Sequence, residues 1–151
     1  MVSVIIPTRD SAADLERLFT ALAPAAVEGL VREVLAADAG SNDATRALCE
    51  DVGAELVEGP VVMAGFRARH DWLLFLDPSF RPRAGWEEGL QKHLARGGGA
   101  ALLAPEGQGW LARLAGREVG VLIHKDQLER CGDSDSIDAI RKRFTAGAAR
   151  L

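Results

Sequence analysis

Tyrosine is absent from this chain and aromatic residues make up only 5% of it, so little is available for a base-stacking surface that would hold nucleic acid. The formal net charge is −4; no basic field exists to draw in a phosphate backbone or an anionic membrane. Long greasy runs are missing too. The longest, Trp72-Leu73-Leu74-Phe75-Leu76, is too short for a transmembrane segment. Cysteine is scarce: Cys49 and Cys131 stand far apart, outside any CxxC or metal-ligand spacing, and read as buried reduced thiols. Met1 leads straight into a strand-like run without a leader pattern, so the expected location is cytoplasmic.

Several chemical signatures are also lacking. No G-x-G-x-x-G turn follows the first strand, and no G-x-x-x-x-G-K-[ST] loop occurs anywhere, which removes the dinucleotide and P-loop readings. The glycine-rich, arginine-containing loop with which nucleotidyltransferases grip a triphosphate is absent as well. Without a G-x-S-x-G elbow, a serine hydrolase has no support. His70, His93 and His124 share no metal-ligand spacing.

What is present is a chain of 151 residues, 48% of them apolar, which suits one globular domain, 1–151. Val2-Ser3-Val4-Ile5-Ile6 is a β-branched strand that Pro7 is expected to stop. Ser11 with Asp14 reads as a capping box for a helix carrying Leu15, Leu18, Phe19 and Leu22, ended by Pro24. A second strand runs from Arg32 to Ala37, and a helix follows with Leu48 and Val52 inward and Gly53 as its stop. Ala54–Val57 is a third strand, Gly59-Pro60 opens an irregular or briefly helical stretch to His70, and Trp72–Leu76 is a fully apolar central strand. Helix is expected from Gly85 to Ala95, then strands at Ala101–Ala104 and Val119–Ile123 with a short Trp110–Leu114 helix between them. Asp126–Cys131 reads as a helical turn, and a last helix starts near Ile137 with Ile140 and Phe144 inward. Alternating strands and helices give parallel strands with right-handed crossovers, an α/β sandwich. Ligands bind such sheets beyond the carboxyl ends of the strands, here Thr8 to Asp10, Asp38 to Asp43 and Asp77 to Arg81.

Acidic residues stand at those ends. Val4-Ile5-Ile6-Pro7-Thr8, then Asp38-x-Gly40-Ser41-x-Asp43-x-Thr45, then the Asp71–Asp77 run, resemble in order the opening half of family 2 glycosyltransferases. The resemblance covers roughly residues 2 to 90. It implies a GT-A-like three-layer sandwich with a mostly parallel central sheet, binding a nucleotide-diphosphate sugar such as a UDP- or GDP-sugar. Pro7, Thr8 and Asp10 would then lie along the nucleoside, and Asp38 would accept hydrogen bonds from the base edge. The plainer reading of Asp38 is a turn residue bonding its own backbone. Ser41, Asn42 and Asp43 suit helix capping.

The chain departs from the family pattern in three places. The family's D-x-D metal motif reads Asp77-Pro78-Ser79 here. Asp77 is thus the implied ligand of Mg²⁺ or Mn²⁺, with a hydroxyl in place of the second carboxylate. A shorter loop precedes Trp72, in which Arg67 and Arg69 either face a diphosphate or form a solvated helix face. The late E-D motif that supplies a catalytic base aligns with Ser136-Ile137; Asp133, Asp135 and Asp138 lie nearby, and Asp135 and Asp138 are the candidates for that base. Two readings follow: a sugar transferase, or a catalytically silent homologue that binds a nucleotide or a protein partner. A homo-oligomer is compatible with either.

Overall fold

Every residue from Val2 to Ile6 is buried, and such a run is stable only between two other strands with both faces covered. The computed structural model, which describes residues 1–107, 120–132 and 136–151, bears this out. Strand β1 (Val2–Thr8) pairs in parallel with β2 (Val31–Asp38) on one side and with β4 (Trp72–Phe75) on the other. Strand β3 (Glu55–Glu58) extends the sheet beyond β2, also in parallel. Beyond β4 come β6 (Gly120–His124), β5 (Ala101–Leu103) and β7 (Ala149–Arg150), in the order β3-β2-β1-β4-β6-β5-β7. Strand β6 is antiparallel to both neighbours, so the sheet is mixed and mostly parallel.

Helices cover both faces. On one lie α1 (Ala12–Val27), α2 (Thr45–Asp51) and α4 (Trp86–Ala95), which bury Leu15, Leu18, Cys49, Trp86 and Leu90 against Ile6, Leu74 and Leu122. On the other lie α3 (Val61–Arg67), a 3-10 helix (Lys125–Cys131) and α5 (Ile137–Phe144), packed over Ile5, Leu35, Phe75 and Ile123. Gly65 is where α3 meets the 3-10 helix: a Cβ there would stand 3.0 Å from a Leu128 methyl. The result is the three-layer α/β sandwich that the segment order implies.

Local expectations fail in instructive ways. Pro7 does not stop β1. The Ile5 carbonyl faces β4 and accepts from Leu76 N–H; alternation puts the Pro7 nitrogen on the same side, past the last residue of β4, so no ladder bond is lost. Pro24 lies inside α1. Gly29, at φ 76°, ends that helix instead, and Leu30 N–H returns to the Ala25 carbonyl, a Schellman closure. Ser11 and Asp14 make no capping box: the hydroxyl bonds Arg9 and the carboxylate bonds Arg81. In α2 Thr45 and Cys49 are buried and Leu48 packs against the core, whereas Val52, just past the helix, is 50% exposed. Strand β7 carries no recognisable pattern, since it has only Ala149 and Arg150. The expected Trp110–Leu114 helix, together with Asp133 and Asp135, lies outside the described residues.

Candidate functional site

From β1 the chain steps outward to β3 across one face, by way of α1 and α2. It then returns to β4 across the other face, by way of α3. The switch therefore falls between the carboxyl ends of β1 and β4, where open sheets leave a crevice. A cleft of about 680 Å³ lies there, lined by Pro7, Thr8, Arg9, Asp14, Ala37, Ala39, Gly59, Asp77 and Pro78 among others. Its size suits a small-molecule ligand.

The D-x-G-S-x-D-x-T segment borders the cleft and lines it through Ala39. The Asp38 carboxylate ends β2 with its side chain 0% exposed. It accepts from Thr8 Oγ1 (3.2 Å), from the Ser41 hydroxyl and backbone N–H, and from Arg46 (3.1 Å). Burial alone would raise its pKa, but these donors outweigh burial and hold it below the usual carboxylate range. Gly40, at φ 85°, makes the reversal that brings Ser41 back over Asp38.

The same segment is tied to the β1–α1 loop. Asp10 N–H donates to Ser41 Oγ, and Asp10 Oδ1 accepts from Asn42 and Asp43 N–H at 2.7 and 3.3 Å. Asp10 adopts φ 48° to do so, a conformation aspartate tolerates better than most side chains. Asp43 accepts from Ala12 N–H and from Thr45 N–H, while Thr45 Oγ1 accepts from Ser11 N–H. Each polar residue of the motif thus holds one loop to the other. Both Asp38 oxygens are engaged by protein donors; Asp10 is engaged at Oδ1, and its Oδ2 accepts from no described residue.

Asp77 follows β4 and faces the cleft directly. Its Oδ1 accepts from Ser79 N–H (2.9 Å) and Ser79 Oγ (2.6 Å); Oδ2 accepts from no described residue. Arg81 is anchored beside it, with Nη1 on the Pro78 and Phe80 carbonyls and Nη2 on Asp14 Oδ1 at 2.9 Å. Arg9 also lines the cleft. Its side chain has no hydrogen-bond or ion-pair partner among the described residues.

Arg67 and Arg69 are elsewhere. Helix α3 runs back along the sheet, so its last turn comes to the amino ends of the strands, opposite the cleft. There Arg67 pairs with Glu55 at 3.4 Å and Arg69 with Glu33 at 2.8 Å. Topology, not composition, separates them from Asp77, and a diphosphate contact does not follow for either. Asp138 pairs with Arg141 in the first turn of α5 and is not on the cleft wall; Asp135 lies outside the described residues. Arg9, Arg46 and Arg81 carry more of the site than sequence reading assigns them. Arg9 and Arg81 had a visible signal, their places in the strand-end stretches Thr8 to Asp10 and Asp77 to Arg81; Arg46 had none.

No protein-family model and no curated protein sequence matches the chain. Solved structures do. A glucosyl-3-phosphoglycerate synthase from Mycobacterium tuberculosis, in complex with UDP, is similar over 99% of this chain and 69% of that one, with a TM-score of 0.70 and 18% identity. The same enzyme in complex with Mn²⁺, UDP and phosphoglyceric acid matches over 68% of this chain and 41% of its own, with a TM-score of 0.54 and 24% identity. S. aureus TarS 1-349 matches over 63% and 32%, with a TM-score of 0.55 and 22% identity. In two of these comparisons the chain spans less than half of the structure it matches. The fold is that of the GT-A glycosyltransferases.

The Mn²⁺ in the second of those structures invites a test of the donor set here. Asp77 offers one carboxylate, half occupied by Ser79, and the Ser79 hydroxyl donates toward Asp77 rather than into the cleft. The other carboxylate of the cleft, Asp14, is paired with Arg81. Among the described residues no group of three His, Cys, Asp or Glu side chains could hold a metal ion. A hard divalent ion takes one or two protein carboxylates plus phosphate oxygens of its ligand; here the protein would supply the single free oxygen of Asp77, a poor donor set.

Proposed function

We propose that residues 1–151 act as a single family 2 glycosyltransferase-like domain that binds a nucleotide-diphosphate sugar, of the UDP- or GDP-sugar type, in this cleft. The observation that carries the reading is the position of the cleft. It opens at the switch point of a GT-A sheet, between Pro7-Thr8 and Asp77. The nucleoside lies along Pro7, Thr8 and the Ala37–Ala39 backbone, and the diphosphate lies toward Arg9 and the Asp77-Pro78 turn. Asp38 and Asp10 act as positioning residues, through Thr8, Ser41 and the loop staple. Asp77 as a ligand of Mg²⁺ or Mn²⁺ is left out of this reading, because no second free carboxylate joins it among the described residues lining the cleft.

Binding without transfer is the better-supported account of activity. A second carboxylate is missing beside Asp77. The described candidate base, Asp138, is engaged by Arg141 away from the cleft, and no step is assigned to it. Saturation-transfer NMR with UDP, GDP and their glucose and mannose conjugates tests the binding claim. The expected result is saturation of the nucleotide protons, reduced at least fivefold in Thr8→Val. No signal at millimolar nucleotide would remove the reading. Steady release of UDP or GDP from a conjugate, above a heat-denatured control, would replace the silent homologue with an active transferase.

A further inference from the structure

The cleft has a cation where the donor set for a metal is deficient. Arg9 follows the last residue of β1 and lines the cleft. Its backbone N–H is fixed on Ser11 Oγ, and its carbonyl accepts from the same hydroxyl at 2.9 Å. That pair of bonds holds the backbone while leaving the guanidinium without a protein partner among the described residues. Across the cleft, Arg81 neutralises Asp14 and braces the Pro78 and Phe80 carbonyls. Among the described lining residues, Asp77 is therefore the carboxylate without a cationic partner and Arg9 the cation, itself without an anionic partner.

We propose that this cleft binds the diphosphate of its nucleotide without a divalent ion, Arg9 supplying the positive charge. The inference rests on the nucleotide-binding reading above and concerns how that ligand is held. A guanidinium presents a planar fork that matches two phosphate oxygens, and such charge-assisted bonds are about twice as strong as neutral ones. It also requires no second carboxylate, which explains how Ser79 can stand in the third position of the Asp77-Pro78-Ser79 turn. The Ser79 hydroxyl and N–H draw on Asp77 Oδ1 and so reduce the repulsion that this carboxylate exerts on an incoming phosphate.

The test is calorimetric titration of the full chain with UDP, GDP and uridine, in EDTA and again with Mn²⁺ at ~1 mM. In EDTA the diphosphate is expected to bind more tightly than uridine, with an affinity that Mn²⁺ changes less than about twofold. Loss of one charged hydrogen-bonding group predicts that Arg9→Gln weakens binding by roughly tenfold or more. Asp77→Asn keeps the acceptor for Ser79, removes a like charge, and is expected to tighten binding about threefold. Mn²⁺-dependent binding that Asp77→Asn abolishes would overturn this inference and leave the nucleotide reading intact. Binding in EDTA that Arg9→Gln leaves unchanged would overturn the role of Arg9. No binding in either condition would instead overturn the nucleotide reading itself. Arg9 is exposed, and a thermal melt matching the wild type confirms that Arg9→Gln is folded.

Discussion

The two ends of the parallel sheet carry nearly the same chemistry and are used differently. At the carboxyl end, Asp38 is buried and held by two hydroxyls and an arginine: Thr8, Ser41 and Arg46. At the amino end, the Glu33 side chain, 6% exposed, is held by Ser3 Oγ at 2.9 Å and by the backbone and side chain of Arg69, with His70 on Ser3. In both, burial pushes the carboxyl pKa up and the surrounding donors more than reverse it. The carboxyl end borders the cleft between β1 and β4. A buried strand-end carboxylate with its arginine is therefore not in itself a sign of a ligand site. What marks the carboxyl end is the reversal in winding between β1 and β4, which parts the loops there.

The largest effects should come from deleting the two carboxylates. Asp38→Ala leaves Thr8 and Ser41 without their acceptor and should destabilise the domain by about 3 kcal/mol. It should also remove nucleotide binding. Glu33→Ala removes the acceptor of the Arg69 backbone and side chain and leaves the fully buried Ser3 hydroxyl with His70 Nδ1 alone; it should cost about 1.5 kcal/mol, with nucleotide affinity unchanged. Urea unfolding and calorimetry on both variants read the difference. If Glu33→Ala weakened binding as much as Asp38→Ala, the functional contrast between the ends would collapse.

Acid should weaken both ends together. Each carboxyl has a folded pKa below its unfolded value, near 3.9 for Asp and 4.3 for Glu. The unfolded chain therefore binds more protons as pH falls through this region. The stabilisation is complete above the unfolded values and is lost as pH drops through the folded ones. Stability should be level from pH 7 to about pH 5 and decline below that. Asp38→Asn and Glu33→Gln should each flatten part of the decline, as followed by urea midpoints across pH. An acid limb unaltered in both variants would mean that neither carboxylate is held as described.

Much of the carboxyl end was legible because its motif is local. Asp38, Gly40, Ser41, Asp43 and Thr45 lie within one loop, and their side chains bond within that loop or to the next. The chemistry was readable there, yet its purpose was not. The same pattern that resembles a ligand-binding motif acts in the structure as a staple between two loops, a distinction that depends on which lone pairs are already taken. The two readings open for Arg67 and Arg69, a diphosphate contact and a solvated helix face, could not be separated for another reason. Sequence proximity to Asp77 says nothing about which end of the sheet a residue occupies once a helix has carried the chain back across it. Pro7 and Pro24 show the same limit: the local preference is real, but neighbouring strands and core packing decide whether it operates.

A finer cut separates the members of the Asp38 cluster. Ser41 both donates to Asp38 and accepts from Asp10 N–H, so Ser41→Ala should cost about 1.5 kcal/mol. Arg46 is 43% exposed and returns to water easily; Arg46→Gln should cost about 0.5 kcal/mol. The reverse order, read from urea unfolding, would mean that the ion pair and not the hydroxyl organises the wall.

The smallest expected effect uses Cys49 as a reporter of the carboxyl end. This thiol is fully buried in α2, and burial first, then the charges of Asp38 and Glu50, push its pKa up to about 11. At pH 8 only about one thiol in a thousand is ionised, and the thiolate is the form that reacts. Iodoacetamide should therefore modify Cys49 slowly in the native protein. Asp38→Asn removes one of the two nearby charges and leaves burial in place, so the rate should rise only a few-fold. Glu33→Gln, at the other end of the sheet, should leave it unchanged, as peptide mass mapping of the Cys49 adduct would show. Equal acceleration in both variants would mean that the thiol is exposed by opening of the whole domain, and that the two ends do not behave as separate units.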